Sequence, residues 1–411
     1  MKKFLVIILI LILILSITAC GKEEPFEKGT SLSKIYIATD THLLSEELFS
    51  EGNQTYIKEN LTADGRIQEK DYELMEALVT KVNEEKPDAF ILTGDLSFNG
   101  EKKSHEALIS FLDRIEKDIK VLVIPGNHDF NIEGTRAYYD DTPHAAATVE
   151  GDEFCELYKD YGYTGAISYD ENSYSYIYEI NDKLWALMLD STLCAYNEEA
   201  GLNTVGGVIW EETIEWLRPY LEEAKNKGIQ VIGFSHHNLT EHNPMFINNY
   251  VMFDADKLAA LYEEYNIRLH FSGHMHIQNI AKTGNIYDIA QGSLLDYGNK
   301  VGILEVFDNC MEYTREQVGD FEEYSLGVFS NKYLSRNTSA YEKKYGEDAE
   351  EVHFLASVIN AYYFDGNYIK VRELLDQRSK AGTLLKKNEK DSYFGTILNV
   401  EKVDQNYLLI K

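Results

Sequence analysis

The sequence predicts an α/β fold, a four-layer αββα sandwich carrying a small C-terminal helical subdomain. Three observations predict it. Short β-branched and aliphatic runs alternate with helical stretches between residues 33 and 318. Five of those runs end in Asp, Asn or His, as ligand-binding strand ends of open α/β sheets do. After residue 318 the strand-like texture stops and helical periodicity takes over.

In chain order, Lys2 and Lys3 form a positive start, followed by an unbroken apolar run of twelve, residues 4–15. Twelve is short of the roughly 20 residues that span a bilayer. The run ends in Ser16-Ile17-Thr18-Ala19-Cys20-Gly21. Small residues before a cysteine resemble a bacterial lipoprotein cleavage box, so residues 1–19 are expected to be a signal peptide. Cys20 is then the lipidation site, and residues 20–32 form a tether of about 40 Å at most, at ~3.3 Å per residue. The expected location is extracytoplasmic, anchored to the cell membrane.

Strand runs are expected at 35–38, 89–92, 121–124, 231–234 and 267–271, with helices at 71–85, 103–117 and 211–227 between them. Residues 277–318 read as closing strands. The inserts 43–70 and 131–170 are long for α/β connections and both follow candidate ligands. Their tyrosines are read as packing. Residues 33–318 are therefore taken as one domain and 319–411 as the helical subdomain or cap. Helices are expected at 350–363 and 368–377, with Gly366-Asn367 as the turn between them.

The chemistry lies at the five strand ends. They read Asp40-Thr41-His42, Gly94-Asp95, Gly126-Asn127-His128-Asp129, Ser235-His236-His237 and Gly273-His274-Met275-His276. In extended backbone, residues i and i+2 point to one side. Asp40 with His42, and His274 with His276, are therefore expected to grip an ion as pairs. Imidazole with carboxylate suits Zn, Mn or Fe. Asp40, His42, Asp95, Asn127, His236, His274 and His276 make seven candidate ligands, enough for two ions sharing one carboxylate. A lone Asp at a strand end is ordinarily a cap or turn former. Seven such positions at five strand ends are not explained that way. Asp129 is read as hydrogen-bonding support for its loop.

The ordered series D-x-H, G-D, G-N-H-D, H and G-H-x-H resembles the calcineurin-like metallophosphoesterases over residues 33–306. Gly94-Asp95-Leu96-Ser97-Phe98-Asn99-Gly100 with Gly126-Asn127-His128-Asp129 is most similar to the bacterial cyclic-nucleotide phosphodiesterase branch. The resemblance implies two divalent (or mixed-valence) ions, one of them held by Asp40, His42, Asp95 and His276. Asp95, Asn127, His236 and His274 would hold the other, with a hydroxide between the two as nucleophile. His128 would protonate the leaving oxygen. At the fourth motif the family often continues with proline, and this chain has His237 and Asn238. His236 is favoured as ligand because it directly follows the strand. His237 and His242 are left to touch substrate or to play no part.

Net charge is −30, and loss of residues 1–19 removes two lysines and no acid, giving −32. Such a surface repels polyanions, so no nucleic-acid polymer is expected as partner. Small phosphoesters remain suitable because metal ions dominate the local field. Cys155, Cys194 and Cys310 are an odd number and give no complete disulfide framework. The favoured function is hydrolysis of small phosphodiesters, cyclic nucleotides among them. The alternatives are a phosphomonoesterase or nucleotidase and, in another class, a non-catalytic binding lipoprotein.

Overall fold

A computed structural model describes residues 26–50, 52–58, 65–130, 132, 135–140, 142–193, 205–390 and 392–411. The expected signal peptide, Cys20 and Cys194 lie outside these. Two sheets stack at the centre. The first is formed by β1 (Ser31–Ala38), β2 (Ala89–Thr93) and β3 (Lys120–Ile124), which run parallel, and by antiparallel partners further along the chain. After these come a short ribbon, β4 (Arg136–Ala137) with β5 (His144–Ala145), and then β6 (Ser168–Tyr169), β7 (Tyr176–Asn181), β8 (Leu184–Leu189), β9 (Gln230–Ser235), β10 (Leu269–Ser272), β11 (Asn279–Thr283) and β12 (Ile286–Ala290). The chain returns to the first sheet with β13 (Lys300–Phe307), β14 (Met311–Gln317) and β15 (Leu408–Ile410). The sheet orders are β15-β14-β13-β1-β2-β3 and β11-β12-β10-β9-β8-β7-β6.

The helices longer than one turn among the described residues are α1 (Asp71–Glu85), α2 (Lys102–Leu112), α3 (Gly151–Leu157), α4 (Glu211–Lys227), α5 (Ala255–Glu264), α6 (Glu322–Tyr345), α7 (Ala349–Phe364), α8 (Tyr368–Asp376), α9 (Lys380–Asn388) and α10 (Tyr393–Leu398). Leu74, Leu78 and Val82 make a buried stripe at helical spacing, which sets α1 against the first sheet. Leu217, Leu221 and Ala224 of α4, with Leu258 and Leu261 of α5, cover the outer face of the second sheet. Phe234 of β9 and Phe271 of β10 stack side by side on the second sheet at 5.4 Å, and Phe271 meets Tyr313 of β14 in the first sheet at 5.6 Å. Both phenylalanines are fully buried. This is the four-layer αββα arrangement followed by a helical region.

Differences from the sequence reading have local causes. The helix expected at 103–117 ends at Leu112, though Ile115 stays buried through a turn in which its N–H donates to the Leu112 carbonyl. The β7–β8 hairpin was not anticipated. The expected tether overlaps ordered structure: β1 begins at Ser31, and Gly29 N–H donates to Asn309 Oδ1. The C-terminal region is not helical throughout, because β15 pairs with β14 and ties the chain end to the first sheet. The two long inserts pack on one another through Leu48, Tyr56 and Tyr138, so these tyrosines are packing groups. Cys155 and Cys310 are free thiols. Among the described residues no helix is long and apolar enough to cross a membrane.

Candidate metal centre

Parallel pairing aligns the strand ends. Ala38 sits beside Leu92, Thr93 beside Ile124, Leu189 beside Ser235, and Phe234 beside Phe271. The residues that follow therefore emerge on one edge, at the seam between the sheets. Backbone bonds fix the loops there: Asp40 N–H donates to the Gly94 carbonyl, His42 N–H to Asp95, and Gly273 N–H to His236. The leading glycines of two motifs are required by close approach. A Cβ on Gly126 would lie 2.2 Å from the Asp95 nitrogen, and one on Gly273 would lie 2.1 Å from Thr39 Oγ1.

Two clusters form. Asp40, His42, Asp95 and His276 each bring a ligand atom within 4.8 Å of the others, and Asp95, His236 and His274 do the same. Asp95 belongs to both. Its Oδ2 lies 3.3 Å from His236 Nε2 and 3.6 Å from His42 Nε2. Asn127 Oδ1 is 3.1 Å from His236 Nε2, so the amide joins the second cluster. All seven sequence-singled positions thus meet at one place.

The expected pairing by extended backbone needs correction. His274 and His276 fall in different clusters, and neither they nor Asp40 and His42 are extended. Asp40 (φ 51°), His42 (38°), Asp95 (49°), His274 (66°) and His276 (59°) all adopt left-handed backbone. This conformation costs non-glycine residues on the order of 1 kcal/mol each and collects at functional sites. The kinks turn neighbouring side chains into a common space that an i, i+2 strand pair would not reach.

Partners set the imidazole tautomers. His236 Nδ1 donates to the Thr93 carbonyl at 2.9 Å, His274 Nε2 to the Asn249 carbonyl at 3.0 Å, and His276 Nδ1 to Asp296 Oδ2 at 2.8 Å. Each leaves its other nitrogen for the centre. His42 Nε2 faces His276 Nε2 at 3.1 Å. Asp40 Oδ2 accepts from Thr39 Oγ1 and His274 N–H, while Asp40 Oδ1 is buried without a hydrogen-bond donor. Facing imidazole nitrogens and an orphaned carboxylate oxygen are what a cation between them would satisfy. The donor set fits two divalent ions.

The electrostatics agree. Burial works against charge on His236 and His276, yet the carboxylate of Asp95 raises the first to about 9, and those of Asp40 and Asp296 raise the second to about 10. Burial holds His42 well below its ordinary value and brings His274 to about 3. In the metal-free protein, protons occupy positions that cations would take.

His128 N–H donates to Asp95 Oδ1. His128 Nδ1 lies 3.1 Å from the Phe98 carbonyl and 2.8 Å from Asn99 Oδ1, so Nδ1 is the donor and Nε2 is left toward the centre. Its ring stands edge-on to His42 at 5.0 Å. Burial lowers its imidazole, with the Asp95 carboxylate pulling against that and the Arg66 guanidinium adding to it. Asp129 braces the loop: its Oδ1 accepts from Ser97 N–H and its Oδ2 from Gly126 N–H. His237 is fully buried. Its Nε2 donates to the Val205 carbonyl and its Nδ1 accepts from Ser191 Oγ, so it packs behind His274 and has no nitrogen left for substrate. His242 is likewise engaged, with Asp288 and Asn279. The sequence reading missed Asp296 and Arg66. The only signal for Asp296 was a carboxylate just beyond another strand end, β12.

The stretch 33–278 matches the family description "Calcineurin-like phosphoesterase". That is more than half of the chain, and the protein belongs to this family. Membership implies a metal-dependent phosphoester hydrolase, and the family normally binds two divalent metals. Among solved structures, a dimetal phosphatase from Danio rerio shares the fold with a TM-score of 0.51 at 11% identity, over 71% of this chain and 98% of that one. A Staphylococcus aureus protein assigned as a 5'-nucleotidase aligns with a TM-score of 0.41 at 14% identity, over 70% of this chain and 54% of that one. No curated protein gives a significant match.

Proposed function

We propose that the protein is a membrane-tethered phosphodiesterase with a two-metal centre, acting on small diesters outside the cytoplasm, cyclic nucleotides among them. The observation that carries this reading is the shared position of Asp95 in two adjoining ligand clusters. Asp40, His42, Asp95 and His276 would hold one ion; Asp95, Asn127, His236 and His274 would hold the other. Bound there, Mn, Fe or Zn supplies Lewis acidity toward phosphoryl oxygens and acidifies water. The residues around them do the rest. Thr93, Asn249 and Asp296 hold imidazoles in the ligating tautomer. Asp129 keeps the His128 loop against Asp95.

His128 is the general acid in this reading. In the doubly protonated ring Nδ1–H would stay on the Phe98 carbonyl while the Nε2 proton passes to the leaving oxygen, as a water oxygen bonds to phosphorus and the P–O bond breaks, and solvent then returns that proton. A diester leaving as an alkoxide needs that proton. The apolar run ending at Cys20 supports the lipid anchor, and no polymeric nucleic acid is expected as partner.

Metal analysis with a screen of paired mono- and diesters tests the reading. About two ions per chain and faster turnover of bis-p-nitrophenyl phosphate than of p-nitrophenyl phosphate are expected. A clear preference for the monoester would make the enzyme a phosphomonoesterase, and metal-free protein without hydrolysis would make it a binding lipoprotein. Cys20→Ser should lower membrane-fraction enrichment, by secretion or as uncleaved precursor; a cleaved variant that still pelleted with membranes would contradict the lipid anchor.

A further inference from the structure

A cleft of about 560 Å³ opens beside the metal centre, between His274 and His276 on one wall and the C-terminal helices on the other. That volume is in the range of small-ligand sites, about 300–1,000 Å³. The far wall belongs to α6 and α7, beyond the stretch 33–278 that the family shares. It thus lies outside the family match, at the mouth of the centre.

The charge of the cleft runs against the charge of the chain. Acids outnumber bases 69 to 39 overall. Arg66, Lys332 and Arg336 nevertheless line this cleft, and among the described residues the one carboxylate lining it, Asp296, is engaged by His276. The cations are held in place. Lys332 Nζ on α6 donates to the Arg66 carbonyl. The next residue, Ile67, donates its N–H to the Leu295 carbonyl at 2.9 Å, and Gln68 Nε2 donates to the His42 carbonyl at 2.8 Å. The Arg66 segment is therefore knitted between a ligand loop and α6. Its guanidinium lies 5.6 Å over the Phe98 ring. Arg336, one turn beyond Lys332 on α6, is exposed, and no ion pair to it occurs among the described residues.

We infer that this cleft is the subsite for the organic part of the substrate, and that Arg66 and Arg336 select a phosphoester carrying a second anionic group on that part. The inference rests on the phosphoesterase reading of the adjoining centre. The scissile phosphate sits at the centre, and the second phosphate or carboxylate reaches toward α6. Guanidinium forks suit either group.

Calorimetric titration of the manganese-loaded full chain tests this with two probes that cannot be hydrolysed. 3-Phosphonopropionate carries the second anion, and propylphosphonate lacks it. Wild type should bind the first at least roughly tenfold more tightly, the worth of one charge-assisted hydrogen bond. The margin should shrink with added salt. Arg336→Gln and Arg66→Gln should each erase most of it, while Lys387→Gln on α9 keeps it. Arg336 is exposed, so its variant should keep the wild-type circular dichroism and melting temperature. Equal affinities in wild type, or a margin that survives Arg336→Gln in folded protein, would overturn the inference. A parallel assay with p-nitrophenyl esters separates the two claims: turnover with equal phosphonate affinities sinks the subsite alone, whereas no turnover of any ester sinks the phosphoesterase reading.

Discussion

At the metal centre, five of the ten described non-glycine residues with positive φ are candidate ligands, and buried charges are held there by hydrogen bonds. In helices α6–α10 the arrangement is the reverse. Val352, Ala356, Ile359 and Tyr363 of α7 pack against Tyr368, Val371 and Leu385 in an apolar core, with Tyr363 and Tyr368 stacked at 5.2 Å. The first region holds strained backbone and like charges in place for an ion. The second is held chiefly by apolar burial, with a few polar ties such as Tyr345 Oη to Glu389 and Asn279 to Tyr368 Oη. Substitutions in the two should therefore separate: those at the strand ends should change metal and rate, and those in the helices should change stability.

The largest effect should come from Asp95→Ala. Asp95 is the one residue common to both clusters, so its loss should remove nearly all bound metal and all measurable hydrolysis. Metal content near two per chain in that variant, read by elemental analysis, would show that the bridge is elsewhere.

His128→Ala comes next and isolates proton transfer. It should retain both ions and lose about 10²- to 10⁴-fold on a nucleoside or alkyl diester, with a far smaller loss on a p-nitrophenyl ester. Equal losses on the two leaving groups would reduce His128 to charge stabilisation.

In the helical region, Ile359→Ala empties a fully buried position and should cost about 2–5 kcal/mol, read as a lower melting temperature. Metal content of the folded variant should not change. A loss of metal without a loss of stability would erase the distinction between the regions.

The smallest effects concern protons. Asp296→Asn should lower metal affinity about 10- to 100-fold by releasing the His276 ring. It should also lower the pH at which metal is taken up, because the Asp296 carboxylate helps hold a proton on His276. The metal-free wild type should lose stability as pH rises from about 7 to about 10. His236 and His276, at about 9 and about 10 in the fold, lie above their unfolded value near 6.5. Their charged forms stabilise the fold fully below that value and cease to as pH passes through the raised ones. A metal-free melting temperature that is flat or rising over this range would contradict the electrostatic account.

Much of this was legible in the sequence, because the ligand motifs sit where strand runs end and order along the chain survives folding. β2 and β9 lie within one residue of their expected bounds at each end, and α1 and α4 run as expected. What escaped is what depends on backbone turns and on distant partners. Strand periodicity does not reveal that His274 and His276 kink apart into two clusters; the family resemblance alone separates them. Asp296 and Arg66 reach the centre from loops whose sequence gives only common residues. Adjacent His236 and His237 look alike on paper; they differ because one ring meets Thr93 across the sheet seam and the other is enclosed by Ser191 and Val205.

The central claim is a two-ion centre organised by Asp95. Stepwise addition of Mn²⁺ to metal-free wild type, with hydrolysis of bis-p-nitrophenyl phosphate followed at each step, tests it most directly. Hydrolysis should stay low through the first equivalent and rise with the second, saturating near two ions per chain. Full hydrolysis at one equivalent, or hydrolysis indifferent to metal, would contradict the account.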